Sequence, residues 1–314
     1  MAAGAPGIGV LSPLLQSRGK KRPSNVTVRV LGTAQDGGIP HLGCSCANCT
    51  RARREPRERR QIASLAIADL EQGKFFIVDT TPDVRTQAES ALARFRPAGT
   101  RLLDALGGVI LTHAHSGHYT GLMFFGFESV SSTKMPTYVS RRMADFLTTN
   151  GPWSQLVRLG NIELRTLNPG EPVSLTAGIC IETLPVPHRD EYSDTLAIRI
   201  VGPRKSLIYV PDIQSWEAWK KPIGGEIGMT DFALLDGTFF APEELSFRSI
   251  SAIGHPPIRE SVRLLRGLPR SKKAGTFFTH FNHTNLALDP AGEARREIEE
   301  AGFGMASEGQ EFAL

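Results

Sequence analysis

Three histidines fall within six residues of this 314-residue chain, His113-Ala114-His115-Ser116-Gly117-His118, directly after the apolar run 109–111. A lone histidine in such a place is more often a core or surface residue than a ligand. Here three of the chain's eight histidines put three neutral nitrogen donors close together. Zn²⁺ and Fe²⁺ accept such donors, and a loop permits their convergence. An apolar run that gives way to a polar loop reads as a strand end, which is a rigid platform with open access beside it. The cluster therefore demands a fold in which strand ends meet.

The rest of the chain supplies such ends. Residues 26–31 alternate apolar and polar, and 75–78 form a short apolar strand ending at Asp79. Further strands are expected at 162–166, 179–186, 196–201, 207–210 and 232–235, and helices at 84–95, 141–149, 259–266 and 290–301. Strands with interspersed helices imply one α/β domain of layered sheets. Asp79, His113, His188, Asp212, Asp236 and His280 all follow expected strands. Taken singly, His188 is a structural histidine, Asp212 a turn or cap residue, and His280 and His283 weak signals. As an ordered set they are strong. The loops 127–135 and 216–230 are expected to shape a pocket, and 151–154 to form a turn with a core or pocket-lining Trp153.

Cys44, Cys46 and Cys49 are too close together to staple distant loops, and Cys180 stands alone. Clustered thiols of this kind read as metal ligands. Buried free cysteines are the alternative, and no thioredoxin-like βαβ context suggests redox work.

Composition narrows the function. At 40% hydrophobic and 22% charged, the chain has a core and is not a disordered segment. Its net charge of +4 inclines it towards small anionic substrates. Arg51, Arg53, Arg54, Arg57, Arg59 and Arg60 read as a solvated helix face balanced by Glu55 and Glu58. Without interleaved aromatics they do not suggest nucleic acid. Gly37-Gly38 is not a dinucleotide fingerprint, since no GxGxxG opens a helix there. No apolar run approaches the ~18 residues of a membrane helix. Residues 1–24 read as a flexible tail ahead of one domain at 25–314. In that tail Lys20, Lys21 and Arg22 follow a weak apolar stretch, the reverse of a secretory signal. A cytoplasmic protein is expected, with an exported form as the alternative.

The order HxHxxH, later histidine, later aspartate, final histidine resembles the metallo-β-lactamase superfamily. Residues 31–38 (Leu-Gly-Thr-Ala-Gln-Asp-Gly-Gly), the Cys44–Cys49 cluster, Tyr119-Thr120-Gly121-Leu122 and Asn282-His283-Thr284-Asn285 resemble most closely the pyrroloquinoline quinone biosynthesis protein B family. Cyclic phosphodiesterases of phosphonate breakdown and transfer-RNA 3′-processing nucleases are more distantly similar. The resemblance runs from Val26 to the C-terminus. It implies a four-layer αββα sandwich with the site at one edge, between the sheets. It places His113, His115 and His188 around a first metal, with Asp212 bridging and His118 and His280 serving a second. It closes the cysteine cluster as a structural Zn²⁺ site through His283. It also pairs Asp236 with His255 for proton transfer; the plainer alternative is a turn aspartate and an ordinary loop histidine. Zn²⁺ is expected in the active site too, with Fe²⁺ or Mn²⁺ as alternatives, and analogy suggests a homodimer. One departure matters: the superfamily motif is HxHxDH, and Gly117 stands at its aspartate. Asp36, Asp190, Glu191 and Asp194 are the candidate substitutes, and a single-metal enzyme is the alternative.

Three functions follow as expectations. The first is a hydrolase in which metal-bound hydroxide attacks an ester, phosphodiester or amide-like bond. In it Asp212 orients the water and His118 or His255 manages protons. The second is an iron-dependent oxygenase in quinone-cofactor maturation. The third is a non-catalytic binding protein with a degraded site, supported by Gly117 alone.

Overall fold

Strand β1 (Val26–Gly32) shows how the chain is layered: Val26, Val28 and Val30 turn into the interior while the residues between them stay half-buried. The computed structural model describes residues 25–244 and 254–314; the expected tail at 1–24 lies outside them. The further strands are β2 (Ser64–Asp69), β3 (Lys74–Val78), β4 (Leu106–Ile110), β5 (Met135–Val139), β6 (Ile162–Thr166), β7 (Val173–Ser174), β8 (Cys180–Val186), β9 (Thr195–Val201), β10 (Ser206–Val210), β11 (Phe232–Asp236), β12 (Thr276–Thr279), β13 (Gly304–Met305) and β14 (Glu311–Ala313).

They form two seven-stranded sheets, ordered β14-β1-β2-β3-β4-β5-β6 and β13-β12-β11-β10-β9-β8-β7. Each sheet is antiparallel at one end and parallel at the other, the change falling after β3 in the first and after β10 in the second. Parallel neighbours end at the same edge. The C-terminal ends of β3 and β4 therefore lie side by side, as do those of β10, β11 and β12.

Most of these strands are buried on both faces, with a strict period of two. In β2, Leu65 and Ile67 face the other sheet while Ala66 and Ala68 face helices. In β10, Leu207 and Tyr209 face the first sheet and Ile208 and Val210 face helices. The result is the expected αββα order. Helix Val84–Phe95 covers the first sheet with Val84, Ala88, Ala91 and Phe95, an i, i+4, i+7, i+11 stripe. Helices Ile258–Leu264 and Glu293–Glu300 cover the second through Ile258, Ala294 and Ile298.

Three expectations need correction. Residues 216–230 are not a pocket loop: they contain helix Ile223–Gly228, and Trp216 and Trp219 are buried in the outer core. The turn expected over 151–154 is confined to Gly151 and Pro152: Trp153 opens a helix, Trp153–Arg158, and packs on Tyr119 and Phe146 against the core, as one of the two expected placements had it. The arginine run is not simply solvated. Helix Ala47–Arg54 sends Arg51 to the Leu288 carbonyl (2.8 Å) and Arg53 to the carbonyls of His41 and Cys44, so these cations brace loops. Among the described residues no helix is long and apolar enough to cross a membrane.

Candidate active site and metal centre

The six polar residues expected after strands come to one edge. β4 runs through Thr112 into His113, and the helical turn Ser116–Tyr119 carries His118 back over the strand end. His188 follows β8, Asp212 follows β10, Asp236 closes β11 and His280 follows β12.

Asp212 is the hub. Its Oδ2 lies 3.0 Å from His118 Nε2, 3.3 Å from His280 Nε2 and 3.7 Å from His113 Nε2. Its Oδ1 lies 3.6 Å from His188 Nε2 and 3.7 Å from His255 Nδ1. His115 turns Nδ1 inward, 3.2 Å from His188 Nε2.

The outer nitrogens are fixed, and this sets what the inner ones can do. His118 Nδ1–H donates to Asp79 Oδ2 at 2.8 Å, and His113 Nδ1–H donates to Thr112 Oγ1 at 2.9 Å. Thr112 in turn donates its backbone N–H and its hydroxyl to Asp79. His280 Nδ1–H donates to Thr238 Oγ1 at 3.0 Å, and that hydroxyl donates to Asp236 Oδ1 at 2.7 Å. His115 uses Nε2 outward on Glu191. These tautomers follow from the bonding network, and each leaves an inward lone pair.

Nε2 of His113, His118 and His280 and Oδ2 of Asp212 are buried with no hydrogen-bond partner. Such atoms cost about 1–3 kcal/mol each when left unsatisfied. A divalent cation among them removes that cost, and the donor set of imidazole and carboxylate suits one. Groups His113–His115–His188, His113–His118–Asp212 and Asp36–His118–His280 each bring their donor atoms within 4.8 Å of one another.

Electrostatics agree with this reading for three of the histidines. Burial holds His113 well below the ordinary imidazole value, pushes His188 down to about 4 and lowers His280, so these three are neutral donors at neutral pH. Burial also opposes charge on His118, but Asp79 and Asp212 hold it well above the ordinary value. Asp212, although burial pushes it up, is held well down by His280, His118 and His113.

Of the four carboxylates considered as substitutes at the Gly117 position, only Asp36 reaches the cluster, with Oδ1 3.8 Å from His118 Nε2. Asp194 accepts from Ser140, Asp190 lies beside Thr195 and Arg142, and Glu191 stands behind His115. Next to the hub, His255 Nδ1 lies 2.7 Å from Asp236 Oδ2, and both residues are buried.

The cysteine cluster assembles as a second centre. Cys44 Sγ and Cys46 Sγ lie 3.3 and 3.5 Å from His283 Nδ1, and with Cys49 all four donors fall within 4.8 Å. The Cys46 N–H aimed at its sulfur lowers Cys44, whereas burial pushes Cys49 up to about 12. A cation among the sulfurs is what would hold so buried a thiol as thiolate. Cys180 takes no part.

The sequence did not single out several contributors. The His41 ring lies 4.5 Å from that of His283, and its backbone N–H donates to Cys49 Sγ. Thr112 and Thr238 orient ligand rings, and buried Asn285 donates to the carbonyls of Gly237 and Thr238, tying the His283 loop to the Asp236 loop. Asp79, which orients His118, did leave a signal, as a polar residue at a strand end, and Asn285 stood in a motif that carried the resemblance.

The sequence profile of a β-lactamase superfamily domain matches residues 74–281. Coenzyme PQQ synthesis protein B of Cupriavidus necator is 27% identical over 315 residues, covering 92% of this chain and 99% of that protein. Among solved structures, Zn(2+)-bound PqqB from Methylobacterium extorquens is similar with a TM-score of 0.78 at 19% identity, over 92% of this chain and 100% of that one. A diphosphatase from the PhnP family is similar with a TM-score of 0.65 at 22% identity, over 91% and 96%.

Proposed function

The chain belongs to the metallo-β-lactamase superfamily, and on that premise we propose that it is a metal-dependent hydrolase of small anionic esters. The observation that carries this reading is the His255–Asp236 pair at 2.7 Å, with His255 only 3.7 Å from Asp212. A site that merely holds an ion needs no second carboxylate–imidazole couple beside it. A hydrolase needs one, to move a proton at the bond being cut.

His113, His115 and His188 would hold a first ion, and Asp212 would bridge to His118 and His280. A divalent ion bound there, Zn²⁺ by the donor set, supplies Lewis acidity and lowers the pKa of water to about 7. Asp212 orients the attacking water. Asp236 accepts from His255 Nδ1, which leaves His255 Nε2 to pass a proton to the departing oxygen. Burial disfavours the imidazolium, but Asp236 and Asp212 together raise His255 above the ordinary value, which favours the protonated form that a general acid needs. A cleft of about 180 Å³, lined by Asp36, Gly37, His41, Asn282 and His283 among others, lies between Asp36 and the cysteine centre and has room for a small molecule. The chain's net charge of +4 favours an anionic one.

The test is anaerobic turnover of bis(p-nitrophenyl) phosphate and p-nitrophenyl phosphate by zinc- and manganese-loaded protein. Wild type should hydrolyse at least one of them, and His115→Ala should not. His255→Ala should keep its metal and lose about 10²–10⁴-fold in kcat. The wild-type rate should fall at alkaline pH, as His255 loses its proton, and that limb should vanish in the variant. Turnover unaffected by His115→Ala would refute the proposal.

A further inference from the structure

Gly117 leaves the superfamily's metal-binding turn without its carboxylate, yet the space where that side chain would project is filled. A Cβ built on Gly117 would lie 2.3 Å from Asp36 Oδ1 and 2.7 Å from Asp36 Cα. Asp36 comes from the loop after β1, 81 residues earlier in the chain. The Gly117 N–H donates to its Oδ1 at 3.0 Å and sets its direction.

We propose that Asp36 is the carboxylate ligand of a second metal position formed with His118, His280 and Asp212, relocated from the histidine turn to the first loop. The inference rests on the hydrolase reading, since it completes the same site.

Three observations support it independently. The donor atoms of Asp36, His118 and His280 lie within 4.8 Å of one another. His118 Nε2 and His280 Nε2, both fully buried, have no hydrogen-bond partner and face this point, as does Asp212 Oδ2. The loop is held there: the Gln35 N–H donates to the Phe281 carbonyl at 2.8 Å, and Ala34 bridges to Phe281, the residue after His280.

Charge points the same way. Without Asp36 a second divalent ion would share the single carboxylate of Asp212 with the first. With it, two carboxylates balance the pair. Steric exclusion makes glycine strict at 117, because any side chain there would meet both the carboxylate and the backbone of Asp36. Gly117 is then the companion of Asp36 and not a sign of decay. The ligand has also moved onto the loop that runs through His41 to Cys44, so the two metal centres share one segment.

The test counts metal in the full chain, by elemental analysis and by competition with a chromophoric chelator. Wild type should bind about three zinc ions: one at the cysteines and two at the histidine site. Asp36→Gly should bind about two, with the weakest site at least tenfold weaker. Asp36→Asn keeps the acceptor for the Gly117 N–H and removes the charge, and should weaken the same ion. Gly117→Asp alone should collide with Asp36 and also lose it. The cysteine-site ion reports folding in every variant. Three ions at unchanged affinity in Asp36→Gly and Asp36→Asn would overturn this inference and leave the hydrolase reading intact. A wild type holding only the cysteine-site ion would overturn both.

Discussion

Two of the residues that build the site pay for their placement in backbone conformation. Asp79 and His280 adopt φ of 64° and 63°, in the left-handed region that non-glycine residues rarely enter. Each sits at a strand end, where the chain must turn sharply to bring the side chain inward, and such strain persists only where surrounding bonds over-determine it. Asp79 is so determined: its carboxylate accepts from Thr112 N–H, Thr112 Oγ1 and His118 Nδ1. Asp79→Asn tests the ring-orienting role. Asparagine tolerates the same φ but presents at most one acceptor oxygen. The variant should fold and lose about 10–100-fold in affinity for the ion at His118, read by chelator competition. Unchanged affinity would mean that His118 is oriented by Asp212 alone. His113, His115 and His118 were legible in the sequence because donors crowded into six residues have few other uses. Asp36 was one candidate among four, since its meeting with Gly117 is a contact between distant loops.

Among the elements, strands with one exposed face or a uniform apolar run were readable. β1, β6, β8, β9, β10 and β11 lie where patterning places them, within two residues at their ends. β2 escaped. Its sequence, Ser-Leu-Ala-Ile-Ala-Asp, alternates large and small residues because the sheet faces a sheet on one side and helices on the other; in isolation, alanine reads as a helix former. β5 was hidden by Pro136, a residue that argues against a central strand. The β4 ladder begins only at Thr137, so the proline interrupts none of it. The loop after β11 is closed by the short turn Pro242–Glu244, where Glu244 Oε1 accepts from the backbone N–H groups of Phe240 and Ala241. Burial pushes this carboxyl up to about 7 from 4.5. Between those values the folded chain keeps a proton that the unfolded chain has lost, so stability declines as pH rises through the window and the loss is complete above it. Glu244→Gln keeps the acceptor without the titration. Its Tm should gain on wild type between pH 5 and 8, by an amount on the order of 1–3 kcal/mol or a few degrees. Parallel Tm curves for the two proteins would refute the shift.

Across the whole molecule, the cysteine centre joins chain segments nearly 240 residues apart, Cys44–Cys49 and His283. The joint is braced by Arg51, Arg53 and Asn48, whose side chains bond the carbonyls of Leu288, His41 and His283. An ion that binds only the folded chain stabilises it by about 4 kcal/mol when free ion exceeds Kd 1,000-fold. Cys46→Ser should therefore lose one ion per chain and melt several degrees lower, and added zinc should not restore it. A variant with full metal content would refute the four-ligand centre.

Read alone, the sequence pointed to the layered α/β class, to the crowded donors His113, His115 and His118 and Cys44, Cys46 and Cys49, and to strand ends that carry them. Those are properties of residue type, local period and spacing, each written within a dozen residues, whereas the roles of His188, Asp212, His280 and His283 came from the family resemblance. Tertiary structure decided the rest: which carboxylate faces His118, what turns each imidazole, and why Gly117 has no side chain. Apart from His113, which its neighbour Thr112 turns, each of those answers lies in van der Waals contact or hydrogen bonding between segments tens to hundreds of residues apart, and only the closing of two sheets brings them together.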